Sequence, residues 1–207
     1  MARTKGIVIL LVGPSCAGKS TLAKAMQTLS PEPYLVQSLD GLFAAMPEAW
    51  GGQGENTLDG FRYDWPAGEV GGGAAVRRIA YGPVGWSLLE GFHRAVAAYA
   101  NTGVNVVVDD MLLDLDVLKD WANALTAVST LLVNVTAPKG ELLRREAART
   151  LHPTPGLVAG HFDLHRGIVA DAEIDTSSAS PSEAARTVLN LASSPARAGA
   201  LRAFRRL

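Results

Sequence analysis

GIVILLVGPSCAGKSTLAKAMQTL, residues 6–29, is the stretch on which the fold turns. The apolar run Gly6–Val12 predicts a buried strand, and Ser20–Leu29 (STLAKAMQTL) predicts a helix. Between them Gly13 to Ser20, GPSCAGKS, fits G-x-x-x-x-G-K-[ST] in the strand–loop–helix context that the motif requires. Gly13, Pro14, Ser15, Cys16, Ala17 and Gly18 form a small-residue loop. Such a loop lets successive backbone N–H groups face anionic oxygens, and the following helix adds its positive end. Lys19 is placed to reach β and γ phosphates, the Ser20 hydroxyl to hold a magnesium ion, and Thr21 closes the stretch expected to touch nucleotide. A Gly-rich turn that only joins strand to helix is the plain alternative, and the full motif in this context argues against it. The chain is expected to bind a nucleotide, ATP, with Mg2+.

The totals suit one α/β core. The chain has 207 residues, 48% of them hydrophobic and 19% charged, enough to bury one substantial core and a small lid or insertion. A formal net charge of -1 offers no positive field for nucleic acid, so none is expected as a partner. Cys16 is the sole cysteine, which excludes an internal disulfide and fits a reducing compartment. The N-terminal run MARTKGIVILLVG leads straight into the phosphate loop and reads as a first strand rather than a signal peptide. With no stretch of transmembrane length, a cytoplasmic protein with no membrane partner is expected; a homo-oligomer stays open.

Further strands are predicted at Tyr34–Ser38, Val104–Val108, Ser129–Val135 and Ala172–Thr176, the last at a sheet edge. Helices are predicted at Val84–Ala100, Leu115–Ala127, Lys139–Arg149, Gly156–Ile168 and Pro181–Leu191, with a further start near Leu42. Ser180 is the expected cap of the last long helix and Pro181 its first residue. Leu88, Leu89, Phe92, Val96 and Tyr99 form the expected apolar stripe of the Val84 helix, and Glu90 is spaced to pair with Arg94. This alternation argues for a parallel sheet covered on both faces. Glu48 to Pro83 is Gly-rich, without a long period, and carries Trp50, Phe61, Tyr63, Trp65 and Tyr81. It reads either as a mobile segment folding over an organic substrate or as a surface insertion anchored by its aromatics. From Ser194 the basic tail, with Arg197, Arg202, Arg205 and Arg206, reads as a helix extension or a frayed end.

Asp40 and the pair Asp109-Asp110 follow strands, at the edge where open α/β sheets bind ligands. Asp40 suits either a carboxylate that takes the proton of an acceptor alcohol or a helix cap. Of the pair, Asp109 is assigned to the magnesium side and Asp110 to capping or substrate contact. Arg145 and Arg149 are four apart on one predicted helical face, which reads either as a lid over ATP that places an anion there or as a solvated basic face, the lid being favoured because the nucleotide motif needs a source of positive charge. Glu141 is spaced to pair with Arg145, and Arg144 turns elsewhere. His93, His152, His161 and His165 form no metal pattern and are expected in surface or substrate roles. Cys16, inside the loop near Lys19, is expected to be thiol-sensitive without acting in catalysis.

ILLVGPSCAGKST, PEPYLVQSLDGLFAAMP, GFHRAVAAYANTGVNVVVDDMLLD, RREAAR and AEIDTSSASPSEAA occur in this order over most of the chain, which resembles the chloramphenicol phosphotransferase family of small P-loop kinases. The resemblance implies a P-loop kinase-like three-layer α/β sandwich that uses ATP and Mg2+ to phosphorylate a hydroxyl of an antibiotic. It implies one kinase domain over 1–193, with a substrate-side insertion at about 48–83, a lid at about 139–168 and a tail at 194–207. By resemblance Asp40 is the base, Lys19 and Ser20 keep their phosphate and magnesium roles, and Asp110 lies near the substrate or the magnesium shell. Arg145 and Arg149 match lid positions, and Asp175 and Thr176 lead toward the adenine ring. The Gly51–Gly82 segment and the lid run RTLHPTPG depart from the pattern, so the expected acceptor is a hydroxylated natural product, chloramphenicol-like or a nucleoside antibiotic. The rivals are a kinase of a small metabolite and an ATP-dependent adaptor; a GTP switch lacks its Asn-Lys-x-Asp run, the nearest stretch being Asn134-Val135-Thr136-Ala137.

Overall fold

The computed structural model describes residues 5–64, 76–150, 154–194 and 199–206. In chain order the main elements are β1 (Ile7–Val12), α1 (Lys19–Leu29), β2 (Tyr34–Ser38), α2 (Leu39–Ala45), β3 (Phe61–Asp64), β4 (Arg78–Tyr81) and α3 (Pro83–Asn101). There follow β5 (Asn105–Asp110), α4 (Leu115–Ala124), β6 (Ser129–Thr136), α5 (Lys139–Ala148), α6 (Leu157–His165), β7 (Ala172–Asp175), α7 (Pro181–Ala192) and α8 (Ala200–Ala203). The main sheet has the order β2-β5-β1-β6-β7, and every pairing in it is parallel. All five carboxyl ends therefore meet at one edge. The chain doubles out from β1 to β2 on one side and later fills β6 and β7 on the other, which makes the edge at β1 a topological switch point.

β1 is central because it is apolar on both faces. Val8, Leu10 and Val12 pack toward α3 and α4, Ile9 and Leu11 toward α1 and α7, and all five are fully buried. A continuous apolar run has this meaning in a parallel sheet, where helices cover both faces. At the far end Ser180 accepts from Glu183 N while the Glu183 carboxylate returns to Ser180 N, a closed capping box that starts α7 with Pro181 in its first turn. The predicted Glu90–Arg94 pair forms at 3.2 Å on the exposed side of α3. Tyr99, expected in the buried stripe, is 42% exposed, because the stripe runs through Leu89, Phe92, Val96 and Ala100, and in the last turn Ala100 rather than Tyr99 faces the core.

The Gly-rich segment contains a two-stranded antiparallel hairpin, β3 with β4, paired Phe61 to Tyr81 and Tyr63 to Ile79. Gly60 and Gly82, which flank it, serve close backbone contact. A Cβ on Gly60 would lie 2.0 Å from Trp50 O and one on Gly82 2.0 Å from Leu58 O. The two glycines also bond directly, Gly82 N to Gly60 O at 2.8 Å. Phe61 is buried between Phe43 at 4.8 Å and Tyr81 at 6.5 Å, and Tyr81 stacks on Trp86. Burying Phe61 stabilises this attachment by about 2–3 kcal/mol. Trp65 lies outside the described residues.

The described end of the basic tail is docked rather than frayed. Leu201 is buried in the core, Asp171 accepts from Gly199 N and Ala200 N, and Arg205 Nε donates to Ala122 O at 2.8 Å. Arg197 lies outside the described residues. Among the described residues no helix is long and apolar enough to cross a membrane.

Candidate active site

A cleft of about 920 Å³ opens along the carboxyl edge of the sheet. Its floor is the loop between β1 and α1. Gly13 (φ 155), Cys16 (φ 62) and Gly18 (φ 92) hold conformations that turn the backbone tightly. Gly13 has no alternative: a Cβ there would meet Val135 O at 2.0 Å. Gly18 caps α1 without any side-chain hydrogen bond, so the first-turn amides have no side chain standing in for an anion. Such a cradle fits a phosphate chain. Ser15, Cys16, Gly18, Lys19, Ser20 and Thr21 line the cleft, whereas Ala17 is buried beneath and Pro14 contributes its carbonyl.

Lys19 is 7% exposed and donates to Gly13 O at 2.9 Å and Pro14 O at 3.1 Å. Its ammonium lies 3.8 Å from Asp109 Oδ1, and Ser20 Oγ donates to Asp109 Oδ2 at 2.5 Å. A hydroxyl and a carboxylate are hard oxygen donors, the set that magnesium uses together with phosphate oxygens and water. The residues present therefore fit the ion. Among the described residues there is no cluster of three His, Cys, Asp or Glu that could hold a metal without a nucleotide.

The strand predicted to end at Val108 runs on through the acidic pair, so Asp109 and Asp110 close β5 and divide by strand alternation. Asp109 faces the loop, but Asp110 points to the opposite face, where it is fully buried and accepts from Leu112 N and Trp121 Nε1, each at 2.7 Å. The expectation that Asp110 contacts substrate is corrected, since both carboxylate oxygens are engaged inside the fold. Asp40 sits in the first turn of α2 and lines the cleft. Ser38, not Asp40, caps that helix, its Oγ accepting from Gly41 N at 3.0 Å.

Arg145 has partners on three sides of its guanidinium. Its guanidinium donates to Glu141 at 2.7 Å, Cys16 O at 3.2 Å, Thr176 Oγ1 at 2.9 Å and Thr176 O at 3.2 Å. Hydrogen bonds from Arg144 and Arg145 hold the Glu141 carboxyl down to about 2. Helix α5 ends at Ala148, one residue before the predicted end, so Arg149 leaves the helix in extended backbone and lines the cleft beside Arg145. Thr176 also lines it, and its hydroxyl donates to Ala17 O at 2.8 Å. Asp175 instead turns to Ser177, accepting from its N and Oγ.

The lining that comes from α2, the hairpin and the turn after β5 is apolar apart from Asp40: Leu39, Phe43, Ala44, Tyr63, Ile79 and Met111. The strand alternation of β3 and β4 puts Tyr63 and Ile79 on the body side. Ile79 and Met111 were missed in the sequence, and the register across the hairpin is the signal that finds Ile79.

His93, His161 and His165 are not surface groups. His161 is 2% and His165 3% exposed. His161 Nε2 accepts from Ile79 N at 3.0 Å and so ties α6 to the hairpin. Burial and the Arg78 charge push His161 down to about 4; burial and the charges of Lys19 and His161 push His165 down to about 3. His93 is fully buried against Asp120 at 2.5 Å, and His152 lies outside the described residues.

Residues 6–193 match the family described as chloramphenicol phosphotransferase-like protein. The chain belongs to that family. A Mycobacterium tuberculosis protein named "Putative O-phosphotransferase" is 29% identical over 191 residues, covering 88% of this chain and 80% of its own. The fold is that of P-loop kinases. A sugar kinase from Janibacter sp. HTCC2649 superposes with TM-score 0.61 at 17% identity, covering 94% of this chain and 99% of its own. The Mycobacterium tuberculosis APS kinase CysC, in complex with AMPPNP and APS, superposes with TM-score 0.60 at 15% identity, covering 93% and 100%. Family and fold together support a P-loop phosphotransferase, a kinase-like enzyme.

Proposed function

We propose that this chloramphenicol phosphotransferase-like protein is an ATP-dependent O-phosphotransferase. It transfers the γ-phosphoryl group to a hydroxyl of a small natural product, an antibiotic that the reaction inactivates. One observation carries the reading: Lys19, Ser20, Asp109 and Asp40 line one cleft together with apolar and aromatic side chains from α2 and the hairpin. Such a lining suits a bulky, weakly charged acceptor better than an anionic metabolite.

Asp40 accepts the proton of the acceptor hydroxyl as its oxygen bonds to the γ-phosphorus and the bond to the leaving ADP oxygen breaks. Lys19 leaves its loop carbonyls to neutralise charge on the transferring group, and the loop amides orient it. Ser20 and Asp109 would hold Mg2+, which when bound neutralises phosphate charge. Arg145, locked to Thr176, walls the nucleotide side, and Arg149 supplies a second positive charge there. The segments around the hairpin and α5–α6 act as acceptor wall and lid.

The test is a mass-spectrometric screen of the purified protein with ATP and Mg2+ against chloramphenicol, nucleoside antibiotics and common metabolites. Gain of one phosphoryl group on an antibiotic hydroxyl is expected. Phosphorylation of a metabolite alone rejects the antibiotic assignment but keeps the chemistry; ATP binding with no phosphorylated acceptor rejects both.

A further inference from the structure

We propose that Asp110, with Trp121 behind it, is the positioning residue that aims Asp109 and Met111 at the cleft, an inference that rests on the phosphotransferase reading of that cleft. Asp109 and Asp110 are neighbours at the carboxyl end of β5, where strand alternation sends their side chains to opposite faces, so an anchor on the Asp110 carboxylate holds the backbone that carries Asp109. The Asp110 carboxylate is fully buried on the core side, while Asp109 meets Ser20 Oγ on the other.

The turn that follows is strained. Leu112 holds φ 54, an uncommon conformation for a bulky residue, and its side chain is fully buried. The 2.7 Å bond from Leu112 N to Asp110 Oδ1 closes this turn and leaves Met111 lining the cleft. Asp110 Oδ2 takes the Trp121 indole N–H at 2.7 Å. Trp121 is itself clamped, fully buried, with the Phe92 ring edge-on at 5.5 Å and the His93 ring at 3.9 Å. His93 is in turn pinned by Asp120, whose carboxylate Arg94 approaches at 3.4 Å. A support thus runs from α3 and α4 to the peptide that carries Asp109.

The chemistry demands a carboxylate. Two N–H groups converge on Asp110, and an ionised acid offers an acceptor oxygen to each. Asparagine has one acceptor oxygen and would turn its NH2 against the other donor.

The test uses the intact chain with Asp110→Asn and, as a second variant, Trp121→Phe. Calorimetry measures binding of a non-hydrolysable ATP analogue with and without Mg2+, and thermal melts are run in parallel. Outer partners of a metal-holding carboxylate typically change metal affinity by 10-fold or more, so in Asp110→Asn the Mg2+-dependent gain is expected to fall about tenfold. Mg2+-free binding should be largely unchanged. Trp121→Phe keeps the Leu112 bond and should show a smaller loss in the same direction; it decides the matter if the asparagine variant does not fold. A lowered melting temperature with the Mg2+ gain intact overturns the proposal, since Asp110 would then only support the core. A wild type that gains no affinity with Mg2+ overturns it as well. Wild-type Mg2+-nucleotide binding without phosphorylation of any alcohol would sink the phosphotransferase reading and leave the Asp110 result standing.

Discussion

Asp40→Asn is expected to remove acceptor phosphorylation while leaving the fold and nucleotide binding in place. The structure allows the two effects to be sized separately. Asp40 is exposed, in the first turn of a short helix that Ser38 already caps. What the substitution removes from folding is a negative charge near the helix N-terminus, about 0.3–1 kcal/mol. For a chain of this size that lowers the melting temperature by no more than about 4 °C. Loss of a positioned general base costs about 10²- to 10⁴-fold in turnover, or about 3–5 kcal/mol on the barrier. The chemical effect should therefore exceed the folding effect severalfold. Lys19 and Ser20 belong to α1 and Asp40 to α2, and no hydrogen bond or ion pair among the described residues joins them, so affinity for ATP should not follow the loss. The assay pairs kcat for the phosphorylated acceptor with a thermal melt and a nucleotide titration. Turnover within tenfold of wild type refutes the base assignment. So does an equal loss of nucleotide binding, which would make Asp40 part of the nucleotide site.

Lys19→Ala removes the ammonium that bonds Gly13 O and Pro14 O and should lower turnover about 10²- to 10³-fold with every acceptor. Unchanged turnover in single-turnover kinetics would reject its role. His161 makes acid sensitivity predictable. The unfolded chain binds a proton on this side chain near 6.5, whereas burial and Arg78 hold the folded value down to about 4. Stability from the neutral ring is thus complete above about pH 6.5 and is lost as pH falls toward 4, by on the order of 3 kcal/mol. His161→Gln retains an acceptor for Ile79 N and should flatten the melting-temperature profile between pH 7 and 4; identical slopes in variant and wild type would refute this.

Much of the framework is legible in the chain because its signals are local. The phosphate loop is a contiguous motif between an apolar strand and a helix, Tyr34–Ser38 is a strand as the residues suggest, and Ser180 with Pro181 starts α7 where a cap and a proline say it should. The candidate site is legible to the same extent in Lys19 and Ser20, which the loop motif carries; Asp40 reads equally as a base or a cap until Ser38 takes the cap and leaves Asp40 lining the cleft. Asp109 and Asp110 are different. Alternation says that they face opposite ways, but which one meets Ser20, 89 residues earlier, depends on β5 lying beside β1. The same holds for Arg145, whose helical spacing suggests a lid but does not reveal its partners, Cys16, 129 residues away, and Thr176. Polar His161 and His165 read as surface residues until α6 closes on the hairpin and takes them out of water. Sequence by itself determined the elements whose hydrogen bonds and hydrophobic period close within a few residues. Tertiary structure alone decided the direction of each charged side chain, because a charge takes its orientation from partners brought together across the whole fold.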